Sequence, residues 1–291
     1  MSPRVAVLLV AAVLAAGCGP TRAEKGPHVV IDDYALYNRL LRAAGRLAEG
    51  DKVTPLEDLR AQLDRPRCAL SLANAPTRTM TPSDVYDRYR QSVLVLGGVY
   101  KCDKCSRWHV TLSTGFVITA SGAVVTNYHV VDNKKHVTMV AMTHDGTVLP
   151  VKEVLAASKD DDTAILALAA GGRRFQPAAL STDAPVGSPV SVISHPARRF
   201  YTLTRGIVSR YFLVPVGEKR ETAVPRMHIT ADFARGSSGG PLFNARGAVV
   251  GFVKSTASIY YDVSEGKKDS LQMVFKECIP ASQVLKLIEQ K

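Results

Sequence analysis

Gly236-Ser237-Ser238-Gly239-Gly240-Pro241 sets two hydroxyls among three glycines. Glycines this close to a serine suit a tight turn that offers a hydroxyl and nearby backbone N–H groups to a substrate, because a Cβ would obstruct the approach. A surface loop has the same composition, so the stretch gains meaning from its partners. A serine hydroxyl is a weak nucleophile at neutral pH. It needs a base to take its proton, a group that holds the base in the right tautomer, and donors for the oxyanion of acyl transfer. His129 is the candidate base, just past the apolar runs Gly115–Thr119 and Gly122–Thr126. Asp162 is the candidate orienter. It is the last of Asp160-Asp161-Asp162 and touches the apolar run Thr163–Leu168, with Asp161 as the fallback. Ser238 is the candidate nucleophile, and the three stand in the order His129, Asp162, Ser238, spaced by 33 and 76 residues. Alone, each has a plainer reading: a structural histidine, a solvated acidic turn, a flexible loop. The ordered set points to covalent acyl transfer.

The elements that must position these residues change character along the chain. Residues 19–91 read as helical and irregular. Leu36, Leu40, Leu41, Ala44, Leu47 and Ala48 recur at helical spacing, Thr54-Pro55-Leu56-Glu57 fits a capping box, and Thr81-Pro82-Ser83-Asp84 opens a third helix. From Ser92 to about Phe275 short β-rich runs follow one another: Val93–Val99, Val110–Thr119, Ala123–Thr126, Val137–Met142, Thr163–Leu168, Val190–Ser194, Tyr201–Ser209, Met227–Thr230 and Ala248–Val253. Strands this closely spaced, with no long helix between them, predict an all-β sandwich or barrel. Val284, Leu285, Leu287 and Ile288 predict a C-terminal amphipathic helix over Pro280–Gln290.

With 291 residues, 46% hydrophobic and 22% charged, the chain has room for a catalytic domain plus a small appendage and is not broadly disordered. Arg4 precedes 12 apolar residues, Val5–Ala16, too few for a typical membrane span. Ala15-Ala16-Gly17-Cys18 resembles the lipobox of bacterial lipoproteins, so residues 1–18 are expected to be a signal peptide and Cys18 a lipidated mature N-terminus. An ordinary secretory signal cut nearby is the plainer alternative. The net charge of +11 suits anionic envelope surfaces or simple solvation. There is no nucleic-acid-binding motif, and none is expected to bind. Cys68, Cys102, Cys105 and Cys278 remain after Cys18. Export favours disulfides, with Cys102–Cys105 and Cys68–Cys278 the expected pairs. Cys102 and Cys105 also fit free or redox-active thiols, or part of a zinc site with His109, which has no clear fourth ligand nearby. No metal and no cofactor is assigned.

At Thr114-Gly115-Phe116-Val117-Ile118-Thr119, Thr126-Asn127-Tyr128-His129-Val130-Val131, Asp162-Thr163-Ala164-Ile165-Leu166 and Gly236–Leu242 the chain resembles the trypsin-like (chymotrypsin-fold) serine proteases, nearest to their bacterial HtrA-like branch. Ile193–Pro196 followed by Thr204–Ser209 resembles a further segment leading into the second barrel. The resemblance covers about residues 92–291. It implies two six-stranded β-barrels with the triad between them. His129 is then the general base, Asp162 its holder and Ser238 the nucleophile, with the backbone N–H groups of Gly236 and Ser238 as oxyanion hole. It implies protein or peptide substrates, in the periplasm or at an envelope membrane. Ser237 stands where HtrA-like members usually carry Asn. The chain stops soon after the second barrel, so no peptide-binding PDZ domain is expected. Asp232 lies six residues before Ser238, where trypsin-like enzymes place the acid that selects Arg or Lys. Gly251–Ser255 is expected to line the specificity pocket, with Lys254 in it. The expected layout is thus a signal over 1–18, a helical segment over 19–91 that is a propeptide, a cap or a structural part, and a protease domain over 92–291. A catalytically silent, protease-fold binding protein is the competing reading.

Overall fold

The first helix, α1 (Asp33–Glu49), starts where the Asp32 side chain accepts a hydrogen bond from Ala35 N at 2.8 Å. Leu40 and Ala44 on its inner face are wholly buried. The computed structural model describes residues 30–50, 52–217, 221–264 and 267–290, so the signal segment and Cys18 lie outside the described residues. The short α2 (Leu56–Ala61) follows. The capping box predicted at its start does not form, because Thr54 Oγ1 donates instead to Lys152 O at 2.7 Å. β1 (Cys68–Leu70) and α3 (Pro82–Tyr89) complete the N-terminal segment, and here the capping box between Thr81 and Asp84 is present.

Twelve strands then make two barrels. The first is built from β2 (Val93–Lys101), β3 (Trp108–Val117), β4 (Ala123–Thr126), β5 (Thr138–Met142), β6 (Val148–Ser158) and β7 (Thr163–Leu168), closed in the order β2-β3-β4-β7-β6-β5. The one-turn helix α4 (Tyr128–Val131) sits between β4 and β5. The second barrel uses β8 (Pro189–Ser194), β9 (Thr202–Val216), β10 (Thr222–Ile229), β11 (Pro241–Asn244), β12 (Val249–Ser264) and β13 (Lys267–Pro280), closed as β10-β13-β12-β11-β8-β9. Closure leaves neither sheet with a free edge. The two six-stranded barrels agree with the expected all-β fold.

Burial explains the arrangement. Leu94, Leu96, Val117, Val124, Met139 and Leu166 fill the first barrel, and Leu56, Leu59 and Leu63 of the α2 region pack against them. Val192, Val208, Met227, Leu242 and Val253 fill the second. A third cluster joins Phe116 and Ile165 to Phe243, Phe252 and Ile279, with Val85 and Tyr89 of α3 and Val284 near the C-terminus. The predicted C-terminal helix is shorter than expected. α5 spans only Ala281–Leu285, and the chain then turns into β14 (Ile288–Gln290), which pairs in parallel with β1. The reason is tertiary: Cys68 N donates to Leu287 O at 2.9 Å, and Leu287 and Ile288 are buried.

The disulfides expected from export are absent here. All four thiols are free. Cys278 lies wholly buried in the second barrel opposite Met227, whereas Cys68 stands beside Ile288, so strand pairing rather than a Cys68–Cys278 bond joins the two ends. The Cys102 and Cys105 sulfurs are 3.4 Å apart and unbonded. The described N-terminal elements are part of the folded body, since Leu59 is fully buried against the first barrel. Leu59→Ala is therefore expected to lower the unfolding free energy by about 2–5 kcal/mol in urea titration. A change below about 0.5 kcal/mol, the scale of a surface substitution, would contradict this placement.

Candidate active site

His129 is presented by α4, directly after β4. Its Nδ1 lies 3.0 and 2.9 Å from the two carboxylate oxygens of Asp162, and its own N–H donates to Asp162 Oδ1 at 3.0 Å. Tyr128 N–H and the Asn127 side chain both donate to the Asp162 carbonyl, at 3.1 and 3.3 Å. Asp162 itself takes φ of 52°, a left-handed conformation that Asp tolerates better than most residues. That twist ends the acidic turn and points the carboxylate at the imidazole. Asp161, the fallback, turns away and bonds Ser158 Oγ at 3.0 Å.

The loop that carries Ser238 comes from the other barrel and is anchored in the first. Thr114 N–H donates to Ser238 O, and Thr114 Oγ1 donates to Gly236 O, both at 2.8 Å. A Cβ on Gly239 would run into the Thr114 carbonyl, and φ there is +86°, so only glycine fits. Ser237 is fully buried and its hydroxyl meets Ser194 Oγ at 3.0 Å. Ser238 instead opens onto a cavity of about 420 Å³, lined also by His129, Asp162, Phe233, Ala234 and Val253. Its Oγ donates to Lys254 O at 3.3 Å. The structure thus brings His129, Asp162 and Ser238 to one cleft, and no described residue from 30 to 91 lines it.

The backbone beside Ser238 is set by a contact that local sequence did not reveal. Ala197 N–H donates to Arg235 O at 2.7 Å. In a trans peptide the carbonyl and the following N–H point opposite ways, so this bond turns Gly236 N–H away from Ala197. Among the described residues neither Gly236 N–H nor Ser238 N–H has an intramolecular acceptor. Gly236 takes φ of +100°, and a Cβ there would sit 2.5 Å from His195 O. The supporting loop is itself twisted, with φ of 48°, 67° and 55° at Ala197, Arg198 and Tyr201. It is held from α1, where Asp33 accepts from Phe200 N at 2.8 Å and the Tyr37 ring lies under the Arg198 guanidinium at 4.3 Å.

Two of the three expected specificity residues are elsewhere. Asp232 points outward, its side chain 86% exposed and paired with Lys276 at 3.0 Å. Gly251 lies inside the second barrel, packed against Met227 and Ile279 O. For Asp232 the cause is the chain before Ser238, which leaves β10 so that Phe233, rather than Asp232, lines the cleft; Gly251 is held inside by its pairing in β12 with Leu242 and Pro280. Lys254 does line the cavity, and Glu277 neutralises it at 3.1 Å. Arg226, also missed, is buried and reaches from β10 to Asp160 O at 2.8 Å. Burial pulls its guanidinium below the usual value, while Glu277, Asp161 and Asp162 push it back. An arginine in the strand-like run Val224–Ile229, between Val224 and Met227, was the available signal.

Residues 113–252 match the family model described as "Trypsin-like peptidase domain". A relative from Halomonas elongata named "Probable periplasmic serine endoprotease DegP-like" is 31% identical over 141 residues, 48% of this chain and 28% of that protein. One of the same name from Brucella suis is 36% identical over 145 residues, 49% of this chain and 27% of that protein. The chain therefore spans under a third of the length of these relatives.

Buried histidines behind the site make stability depend on pH. Burial lowers His195 from 6.5 to about 3 and His136 from 6.5 to about 4. Both stay neutral in the folded protein while the unfolded chain takes up protons below pH 6.5, so stability is retained above that pH and lost as pH falls toward 4. Urea unfolding is expected to lose up to about 1.4 kcal/mol per pH unit for each histidine across that window. A flat profile between pH 6.5 and 4 would contradict it. With its two closed barrels and a match over residues 113–252, the chain has a trypsin-like fold and is similar over about half its length to the DegP-like serine endoproteases.

Proposed function

We propose that the protein is a serine endopeptidase that hydrolyses peptide bonds through an acyl-enzyme on Ser238. The observation that carries the reading is the pairing of His129 Nδ1 with the Asp162 carboxylate at 2.9 Å, in the cleft that also exposes Ser238. A carboxylate on Nδ1 keeps the proton there and leaves Nε2 as the basic nitrogen. For attack, Ser238 Oγ rotates from the Lys254 carbonyl toward His129, which takes the hydroxyl proton as the C–O bond forms. The N–H groups of Gly236 and Ser238 stabilise the oxyanion. His129 then gives its proton to the leaving amine, and water repeats the sequence to release the acid. Serine protease activity is also supported by the DegP-like relatives.

The relatives' names speak of a periplasmic enzyme. With the apolar leader, this supports an exported envelope protein, and we assign Cys18 as its lipid anchor. Substrates are proteins or peptides. The pocket walls Phe233, Ala234 and Val253 favour an apolar side chain at the cleaved position; Asp232 is turned out and Lys254 is paired, and Arg235, which also lines the cavity, weighs against a basic one.

Cleavage of an unfolded protein by wild type and variants tests the reading. Ser238→Ala is expected to remove turnover, and Asp162→Asn to lower kcat by about 10⁴-fold through the wrong tautomer. Equal turnover in wild type and Ser238→Ala would overturn it. A silent binding protein remains the second reading, favoured by the bond from Ser238 Oγ to Lys254 O. It requires wild type and Ser238→Ala to behave alike in every functional assay. Peptide-library profiling is expected to give apolar preference that Asp232→Ala leaves unchanged. Preference for Arg or Lys, lost in Asp232→Ala, would contradict the pocket assignment.

A further inference from the structure

The hairpin between β2 and β3 carries a cluster the proposed reaction does not use. Cys102, directly after β2, and Cys105, in the same turn, bring their sulfurs to 3.4 Å. His109, the second residue of β3, directs Nε2 at both, 3.2 Å from Cys102 Sγ and 3.1 Å from Cys105 Sγ. Three potential ligand atoms of the kind that zinc prefers thus converge on one point. A disulfide would account for the two sulfurs but gives no reason for an imidazole nitrogen aimed at both.

The distances suit an ion. Tetrahedral zinc, with bonds of about 2.3 Å to sulfur and 2.0–2.1 Å to nitrogen, separates two sulfurs by about 3.8 Å and sulfur from nitrogen by about 3.6 Å. The triangle needs to open by only roughly 0.5 Å or less at each side to reach this. The strands that frame it are well held. Tyr100 and His109 are register partners, with their rings 5.3 Å apart. Trp108, next to His109, donates from Nε1 to Glu49 of α1 at 2.8 Å and lies under Lys101 Nζ at 4.5 Å. β3 therefore presents His109, and the short turn that carries Cys102 and Cys105 needs to adjust.

We propose that Cys102, Cys105 and His109 form a binding site for a thiophilic divalent cation, zinc in the first instance. Three protein ligands hold the ion, and the fourth position is left to water or an external donor, because the described residues supply no fourth ligand. Binding replaces thiol protons with metal bonds and changes no oxidation state. The site has a structural consequence next to the cleft. Tyr100, stacked on His109, lines a cavity of about 340 Å³ with Thr111, Leu112, Arg235 and Gly236. The ion would stiffen this wall, which adjoins the nucleophile loop. Metal binding itself is independent of the peptidase reading.

Cobalt is the probe. The full chain, with thiols kept reduced, is titrated with Co²⁺ alone and then with Zn²⁺. The expected result is one Co²⁺ per protein, with the intense visible bands of tetrahedral thiolate-bound cobalt, bleached by one equivalent of Zn²⁺. Cys105→Ser and His109→Ala are each expected to weaken binding at least about tenfold, with unchanged circular dichroism because the ligands lie on a hairpin tip. Cys68→Ser is expected to bind as wild type does. Failure of reduced wild type to give the thiolate–cobalt bands overturns the proposal, as do bands that persist in Cys105→Ser or vanish in Cys68→Ser. An intact Cys102–Cys105 disulfide in protein recovered directly from cells overturns it too.

Discussion

The clamp of Thr114 on the nucleophile loop is the contact on which the rest of the site depends. The candidate triad is split between two barrels, with His129 and Asp162 on the first and Ser238 on the loop before β11 of the second. Two independently closed barrels have no intrinsic reason to meet at one orientation. Thr114 supplies it with two bonds of 2.8 Å, one from its N–H to Ser238 O and one from its hydroxyl to Gly236 O. Each is buried, so losing it leaves an unpaired polar group, a penalty of about 1–3 kcal/mol. Arg226 adds a second tie in the opposite direction, from β10 to the Asp160 carbonyl beside the Asp162 turn. The apolar cluster containing Phe116, Phe243 and Phe252 provides the area between them. Hydrophobic burial holds the barrels together without direction, while the hydrogen bonds fix the register in which His129 faces Ser238.

The N-terminal elements extend the same logic outward. α1 holds the Ala197–Tyr201 loop through Asp33 and Tyr37. That loop sets the Arg235–Gly236 peptide through Ala197 N–H. Left-handed backbone at Ala197, Arg198 and Tyr201 is unfavourable for residues with a Cβ, of order 1–3 kcal/mol each, and persists only where surroundings hold it. A path of direct contacts therefore runs from the segment before the barrels to the backbone of Gly236. The same segment joins the C-terminus through β1 and β14. No described residue from 30 to 91 lines the Ser238 cavity, while this segment packs on both barrels and on the Ala197–Tyr201 loop.

How much of this was legible in the sequence depends on the range of the determining contacts. His129, Asp162 and Ser238 each sit in a local pattern, and their order made the constellation readable. The short apolar strands β4 and β7 were legible to the residue, because their side chains are buried on both faces. β6 was not, since its register shifts at Val151–Glu153 and Val154–Ala156 break the alternation. β11 was hidden by Pro241 and the glycines before it, which read as turn. β12 and β13 run far beyond the core as a hairpin with exposed Tyr261, Leu271 and Met273, so burial does not mark their ends. The Cys68–Cys278 pairing failed because sequence distance says nothing of which barrel layer a thiol enters. Ala197 and Asp33 act only through long-range contacts and carry no local signature, and Thr114, though it opens the Thr114–Thr119 motif, gives no local sign of its clamp on residues 236–238.

The most direct test of the account is where a fluorophosphonate attaches. Such a probe reacts with a serine hydroxyl only when a base and oxyanion donors are assembled around it. Protein spanning residues 19–291 is incubated with the probe, digested, and mapped by mass spectrometry. The account predicts one adduct per chain, on Ser238, with Ser237 unmodified and labelling strongly reduced in Thr114→Val. Absence of an adduct on Ser238 across a range of pH, or labelling that Thr114→Val leaves unchanged, would contradict it.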